Sequence, residues 1–234
     1  MAKKFDLNTI TYRLLMSEPF FAALSRRIDK KATSAIPTAG VKVNKDTGHF
    51  ELAYNPEFFA SLSEKQMSGV LKHEFYHLIF DHVTGDRINR TTDGKITKLW
   101  NIATDLAINS HLKDELPEGA LFAGEGPFEH LEAGLSAESY FAALKKDEGE
   151  KEEQQGEGGD GGEGGEGGSG EGEQGGDLPD SFDDHSGWGD GDNTSNELAK
   201  QRLKEAVKKA AQEASKVGNW GTVSVSVVRI FLIE

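Results

Sequence analysis

The sequence predicts an α+β protein, compact and mainly helical, with a small antiparallel β-hairpin ahead of its principal helix. Three observations carry that expectation. Apolar residues recur at helical spacing in several stretches, two alternating runs flank Asn44-Lys-Asp-Thr-Gly48, and a run of Gly, Glu, Asp and Gln after Asp147 supports neither pattern.

Taken in order, Asn8 to Ile28 has helical periodicity broken by Pro19, which predicts one or two opening helices. Gly40 to Asn44 and His49 to Tyr54 alternate apolar and polar residues, the pattern of a hairpin that Asn55-Pro56 ends. Ser63 and Gln66 have capping-box spacing ahead of Met67, Val70, Leu71, Leu78 and Ile79, so a long helix is expected from Ser63 to about His82, closed by Gly85. A second helix is read from Lys98 to about Leu112, with Pro117 marking its end. A short helix over Ser136 to Leu144 follows. Thr194 and Glu197 repeat the capping-box spacing before a stripe of Leu203, Val207, Ala210, Ala214 and Val217, stopped by Gly218. The end, Val223 to Glu234, reads as a strand or the start of a longer element.

Composition sets the domain organisation. The chain has 234 residues, 28 glycines and a formal charge of -14, but the acids are concentrated between Asp147 and Asp180. Apart from Leu178 and Pro179 at its far end, that segment has no apolar side chains with which to offset an ordering cost of about 1–2 kcal/mol per residue. The expected organisation is a folded domain over residues 1–146, a disordered spacer over 147–180, and a C-terminal extension over 181–234 with one amphipathic helix at 194–217. No basic, aromatic-interleaved patch points to nucleic acid. No run reaches the ~20 apolar residues of a spanning helix, and Met1 to Leu15 lacks the apolar centre of a secretory signal, so no membrane association is expected and the chain is placed in the cytoplasm of a bacterial host. With no cysteine, disulfides and thiolate metal sites are excluded, and any metal must be held by His and carboxylates.

The stretch His73-Glu-Phe-Tyr-His77 carries the chemistry. Residues four apart on a helix are separated by about 40° around its axis, so His73 and His77 project side by side and can share one metal. Glu74 is placed to act as a general base toward water activated by that metal. Zinc (Zn2+) suits imidazole and carboxylate ligands, is redox-inert and can leave a coordination position open, although cobalt or nickel would accept the same donors. An accidental grouping of two histidines and a glutamate is the alternative. It conflicts with the cost of burying these groups among Phe75, Leu78, Ile79 and Phe80 without a shared partner. Tyr76, off the metal face, is assigned to packing.

The third ligand is expected from the second helix, where Asn101, Asp105 and Asn109 form a polar stripe without a lysine or arginine. Asp105 is the expected ligand, with Asn101 and Asn109 orienting the ligand side chains. A solvent-facing stripe is the competing reading. His82 is the second choice. The metzincin spacing puts a third His six residues beyond the second, after a turning Gly, whereas His82 is five residues on and points about 140° from His77 if the helix continues.

These residues resemble a family of metallopeptidase domains found in bacteria and their phages, often joined to a von Willebrand A-like domain and associated with MoxR-type ATPases. The resemblance rests on Tyr54-Asn-Pro56, on Val70-Leu-Lys-His-Glu-Phe-Tyr-His77 with His82 and Arg87, on Trp100-Asn-Ile-Ala-Thr-Asp105 with Ile108-Asn109, and on Asp184-His185 with Trp188. It implies a zincin-like fold and favours His73, His77 and Asp105 over His82. It also implies that the strand before the motif helix receives an extended peptide by β-augmentation, with a MoxR-type ATPase or a phage or host protein as partner. The sequence departs from fuller members in having no Asp-x-Ser-x-Ser motif, since Asp192-Asn-Thr-Ser195 lacks that spacing, and a short or truncated version is expected. Asp184, His185 and Trp188 either cover the cleft or form a local turn beside the spacer, the turn being the simpler expectation.

The expected function is therefore zinc-dependent peptide hydrolysis with Glu74 as the base. The rival is a non-catalytic scaffold in which zinc ties helices together. Four protein ligands, with His82 joining His73, His77 and Asp105, would favour that rival. A third reading makes the acidic spacer itself a cation buffer or interaction tail.

Overall fold

The structure is a computed structural model that describes residues 5–84, 94–156, 179, 183, 185, 188 and 193–223. Gly85, Arg87, Asp184, nearly all of residues 157–182 and the segment after Val223 lie outside the described residues. The mixed α+β architecture is as expected. Helix α1 (Leu7–Leu14) is capped by the Asp6 carboxylate, which accepts from the Asn8 N–H. Helix α2 (Pro19–Ser25) begins at the proline, whose missing N–H costs nothing in a first turn, so Pro19 separates two helices rather than kinking one.

Strand β1 (Asp29–Ala32) has no counterpart in the sequence reading. It is short, lysine-containing and mostly exposed, and pairing is what makes it a strand: it runs parallel to β3 (Phe50–Tyr54), with Asp29 opposite Glu51. Strand β2 (Ala39–Val43) pairs antiparallel with the other side of β3 through the expected hairpin. Its turn is held by the Asn44 carboxamide, which accepts from the Asp46 and Thr47 N–H groups, and by Gly48 at φ 61. The sheet order is β1-β3-β2. This corrects the expected substrate strand, because β3, the strand before the motif helix, has both edges paired and cannot accept another.

Asn55 ends β3 and also caps a helix that the sequence reading missed, α3 (Pro56–Ser61), accepting from the Glu57 N–H at 2.9 Å and donating to the Ile36 carbonyl at 3.0 Å. Helix α4 (Glu64–Ile79) starts on the complete Ser63/Gln66 capping box. It ends earlier than His82. The Asp81 N–H donates to the Leu78 carbonyl and the His82 N–H to the His77 carbonyl, both close to 3 Å, with Asp81 in the left-handed region at φ 56. This is a Schellman stop with aspartate in the usual glycine place. The Asp81 carboxylate also accepts from the Thr84 hydroxyl. The turn removes His82 from the helix without any need for Gly85.

Helix α5 (Gly94–Asn109) begins four residues before Lys98. Helix α6 (Ala137–Gly156) runs well past Leu144, into the stretch expected to be spacer. Side-chain pairing explains the first part of that extension: Asp147 pairs with His130 and buried Glu148 with Lys95. Helix α7 (Asn193–Val217) lies along α2, and Thr194 falls inside it rather than at its cap. Leu203, Val207, Ala210 and Ala214 are buried, but Val217 is 65% exposed at the fraying end.

The apolar side chains form two clusters. One joins α1, α2, the sheet, α4 and α7 around Phe20, Phe21, Phe75 and Tyr76, and the other joins α5, α6 and their connection around Trp100, Phe128 and Tyr140. Each buried large side chain contributes about 1.5–3 kcal/mol. Helices α4 and α5 meet where the two clusters adjoin. Behind α4, the Lys72 ammonium is buried between the Glu18 and Glu115 carboxylates at 3.2 and 2.6 Å, and Thr222 donates its N–H and hydroxyl to Glu18. Gly69 permits this approach, since a Cβ there would lie 2.2 Å from the Glu115 carbonyl oxygen. Among the described residues, no helix is long and apolar enough to cross a membrane.

Candidate metal centre

Helix α4 presents His73 and His77 toward α5, which presents Asp105 and Asn109, and these four and Glu74 are fully buried. The 40° offset of His73 and His77 turns both Nε2 atoms to one point, 2.8 Å apart. Asp105 Oδ1 lies 3.7 Å from the first and 3.3 Å from the second. The expected ligand atoms are thus together, and the solvent-facing reading of the Asp105–Asn109 stripe is excluded by their burial.

Behind the imidazoles, each Nδ1 has its own neighbour. His73 Nδ1 is 2.8 Å from Asn109 Oδ1, and the Asn109 amide donates to the Leu121 carbonyl at 2.8 Å, which fixes the amide's orientation and therefore directs the His73 N–H to Nδ1. His77 Nδ1 is 3.1 Å from His82 Nδ1. The early end of α4 therefore puts His82 on the side of the His77 ring opposite Asp105, where it can orient the ring but does not join the donor atoms. Asn101 is only half buried, and its side chain makes no described hydrogen bond to either imidazole. Tyr76 packs between Phe21, Phe80 and His111, in keeping with a packing role.

The sequence reading missed Asp183. Its Oδ2 lies 3.1 Å from His73 Nε2 and 3.4 Å from His77 Nε2. His185 Nε2 holds that same oxygen at 2.7 Å and stands 3.5 Å from Asp105 Oδ1. The Trp188 ring packs against His185 and His77 with centroids 4.0 and 4.7 Å away. A turn closed by the Trp188 N–H on the His185 carbonyl, at 3.1 Å, therefore folds over the centre instead of standing beside the spacer. The available signal was nearness in sequence, since Asp183 lies two residues before His185, which the resemblance had already singled out.

Electrostatics follow from this crowding. Burial alone would depress the His73 imidazole, but Asp183 and then Asp105 outweigh it and raise its pKa. Burial and the neighbouring His73 lower that of His77. Burial would raise the Asp183 carboxyl, yet His185 and His73 hold it well below the usual carboxylate range. Two imidazoles and two carboxylates thus converge where burial weakens solvent screening.

A divalent cation fits this donor set. At bond lengths of about 2.0–2.2 Å, the vertices of a tetrahedral zinc site are about 3.3–3.6 Å apart. The His73 and His77 nitrogens lie 2.8 Å from each other and 3.1 to 3.7 Å from the Asp105 and Asp183 oxygens, and one donor atom from each of the four residues lies within 4.8 Å of the others. The donor chemistry, nitrogen and oxygen without sulfur, is that of zinc and its neighbours.

The mixed α+β fold thus gathers a buried His/Asp group from a His-Glu-x-x-His helix, a second helix and Asp183, a set of donors able to hold a metal ion. Residues 3–225 match the family model described as "Putative metallopeptidase domain", and the chain belongs to that family. No curated protein and no solved structure matches it.

Asn109 offers a direct check on how the centre is held. Asn109→Ala should keep the fold and weaken zinc binding about 10–100-fold, because His73 loses the group that orients its ring. Competition with a chromophoric chelator measures this, and unchanged affinity would remove Asn109 from the centre.

Proposed function

We propose that the chain is a zinc-dependent peptidase in which His73, His77 and Asp105 hold the metal and Glu74 is the general base. The observation that carries this reading is the convergence of His73 Nε2, His77 Nε2 and Asp105 Oδ1 on one point beside a buried glutamate. A zinc ion bound there supplies Lewis-acid chemistry, acidifying water and polarising a carbonyl. The protein's own residues do the rest. Asn109 holds His73 with Nε2 forward, and His82 lies against the rear of His77. Glu74 stands 60° round the helix from His77 and 100° from His73, beside the ligands rather than among them. From there it takes the proton from the attacking water and delivers it to the departing amine. The α4 and α5 side chains around it exclude bulk water, which strengthens each of these interactions.

The resemblance adds a peptide or protein as substrate, a bacterial cytoplasm as location, and a MoxR-type ATPase or a phage or host protein as partner. In this reading the peptidase domain proper, residues 1–146, borrows Asp183 from the 181–234 extension. A second reading has a specific observation in its favour: Asp183 supplies a fourth protein donor, as structural zinc sites require.

The experiment compares the natural protein and Glu74→Gln for zinc content and for cleavage of reduced casein. The expected result is one zinc per chain in both, with hydrolysis in the natural protein and loss of about 10²–10⁴-fold in Glu74→Gln. A folded chain without zinc sinks the metal reading. Zinc without hydrolysis, in the natural protein and in Asp183→Ala alike, establishes the scaffold.

A further inference from the structure

We propose that Asp183 is a fourth ligand of the metal, and that Asp183, His185 and Trp188 together form an intramolecular plug, seated where water and an extended substrate would otherwise lie. The proposal rests on the metal centre described above and goes beyond it in assigning residues 183, 185 and 188 a shared role.

The first argument is the donor geometry. Asp183 Oδ2 is as close to the two imidazole nitrogens, at 3.1 and 3.4 Å, as Asp105 Oδ1 is, at 3.7 and 3.3 Å. A catalytic zinc with three protein ligands keeps its fourth position for water or substrate. Asp183 stands in that position, and His185 braces its carboxylate at 2.7 Å.

The second argument comes from the sheet edge and is independent of the metal. In the β2–β3 hairpin, the Asn44 N–H donates to His49 and the Asn55 N–H to Thr38. Bonded and non-bonded pairs alternate in an antiparallel ladder, so Gly40 and Lys42 point their backbone groups toward β3. Ala39, Val41 and Val43 point theirs away, toward the edge on which no other described strand pairs. An extended peptide adding to this edge would donate an N–H to the Val41 carbonyl. In the structure the Trp188 indole N–H donates to that carbonyl at 2.9 Å, while the same ring packs on His77.

One short segment therefore covers both features a peptide substrate needs, the fourth metal position through Asp183 and the outward carbonyl of β2 through Trp188. The edge that receives substrate is β2, and substrate enters only when this segment leaves. The site is closed at rest.

The test uses the full chain loaded with cobalt(II), whose visible absorption reports the ligand set, and acetohydroxamate as a probe of an open position. The natural protein should bind one cobalt and respond weakly to the probe. Asp183→Ala should keep the cobalt through its three remaining ligands, show a changed visible spectrum, and bind acetohydroxamate about tenfold more tightly or better, the gain expected when a plug closed in about nine molecules of ten is removed. Trp188→Ala should leave the resting spectrum close to natural and also tighten probe binding. If circular dichroism shows Asp183→Ala to be unfolded, Asp183→Asn, which keeps the shape and withdraws the charge, answers the same question. An unchanged spectrum and equal probe affinity in folded variants overturns this proposal alone. Loss of cobalt from folded Asp183→Ala overturns the displaceable plug, because the site then needs Asp183 to exist. A natural chain that binds no cobalt overturns the metal reading and the plug with it.

Discussion

Asp105→Ala should abolish metal binding in a chain that remains folded. Elemental analysis of the natural protein should find close to one zinc, and the variant should retain only a small fraction of that. The loss should exceed the about 10–100-fold expected when an orienting neighbour is removed, because a charged donor 3.3 Å from His77 Nε2 disappears from the centre itself. His73→Ala should behave alike, whereas His82→Ala should still bind zinc and lose no more than the about 10–100-fold of an orienting neighbour, since His82 meets the opposite nitrogen of the His77 ring. Stability provides a second reading of the same result. A metal present at about 1,000 times its dissociation constant stabilises the folded state by about 4 kcal/mol, so a chelator should lower the melting temperature of the natural protein and leave that of Asp105→Ala unmoved. Equal zinc in natural and Asp105→Ala proteins would remove Asp105 from the ligand set.

Lys72→Ala should produce the largest loss of stability. Lys72 is the residue before His73, and its ammonium is the cation between the buried Glu18 carboxylate and the partly buried Glu115 carboxylate. Removing it leaves two carboxylates facing each other across a space that the Gly69–Glu115 contact holds narrow. Breaking a buried ion pair from one side costs about 3–5 kcal/mol, a large fraction of a domain's total. Urea denaturation should show it, and Glu18→Gln in the Lys72→Ala background should recover part of the loss by withdrawing the stranded charge. The consequence reaches the metal centre because the knot fastens the turn of α4 that carries His73 to the start of α2 and to Thr222. A Lys72→Ala protein as stable as the natural one would show that the knot contributes nothing to the fold.

Much of the centre was legible because the groups concerned are near in sequence. His73 and His77 are four residues apart, and Asp105 and Asn109 repeat that spacing, so helical geometry alone places each pair on one face. The Ser63/Gln66 box, the Asn44–Gly48 turn and the interruption at Pro19 were legible for the same reason, each being satisfied within a few residues. Strand β1 was not, since Asp29-Lys-Lys-Ala32 has no alternation and becomes a strand only through β3. The end of α4 was misread because Asp81 adopts the left-handed turn usually given to glycine, supported by Thr84. That single turn decides the place of His82.

By itself the sequence determined the existence of the longer helices, the hairpin, the absence of thiolate chemistry and the placing of His73, Glu74 and His77 on one helix, because periodicity, caps and composition act over distances of a few residues. Tertiary structure alone decided that α4 and α5 bring two imidazoles and Asp105 to one point, that β3 is central with β2 at one side of the sheet, and that Asp183 comes to His73 from 110 residues further along the chain. The physical reason is that a buried charge is specified by what it must neutralise. Its partner can come from anywhere in the chain, and no local spacing announces it.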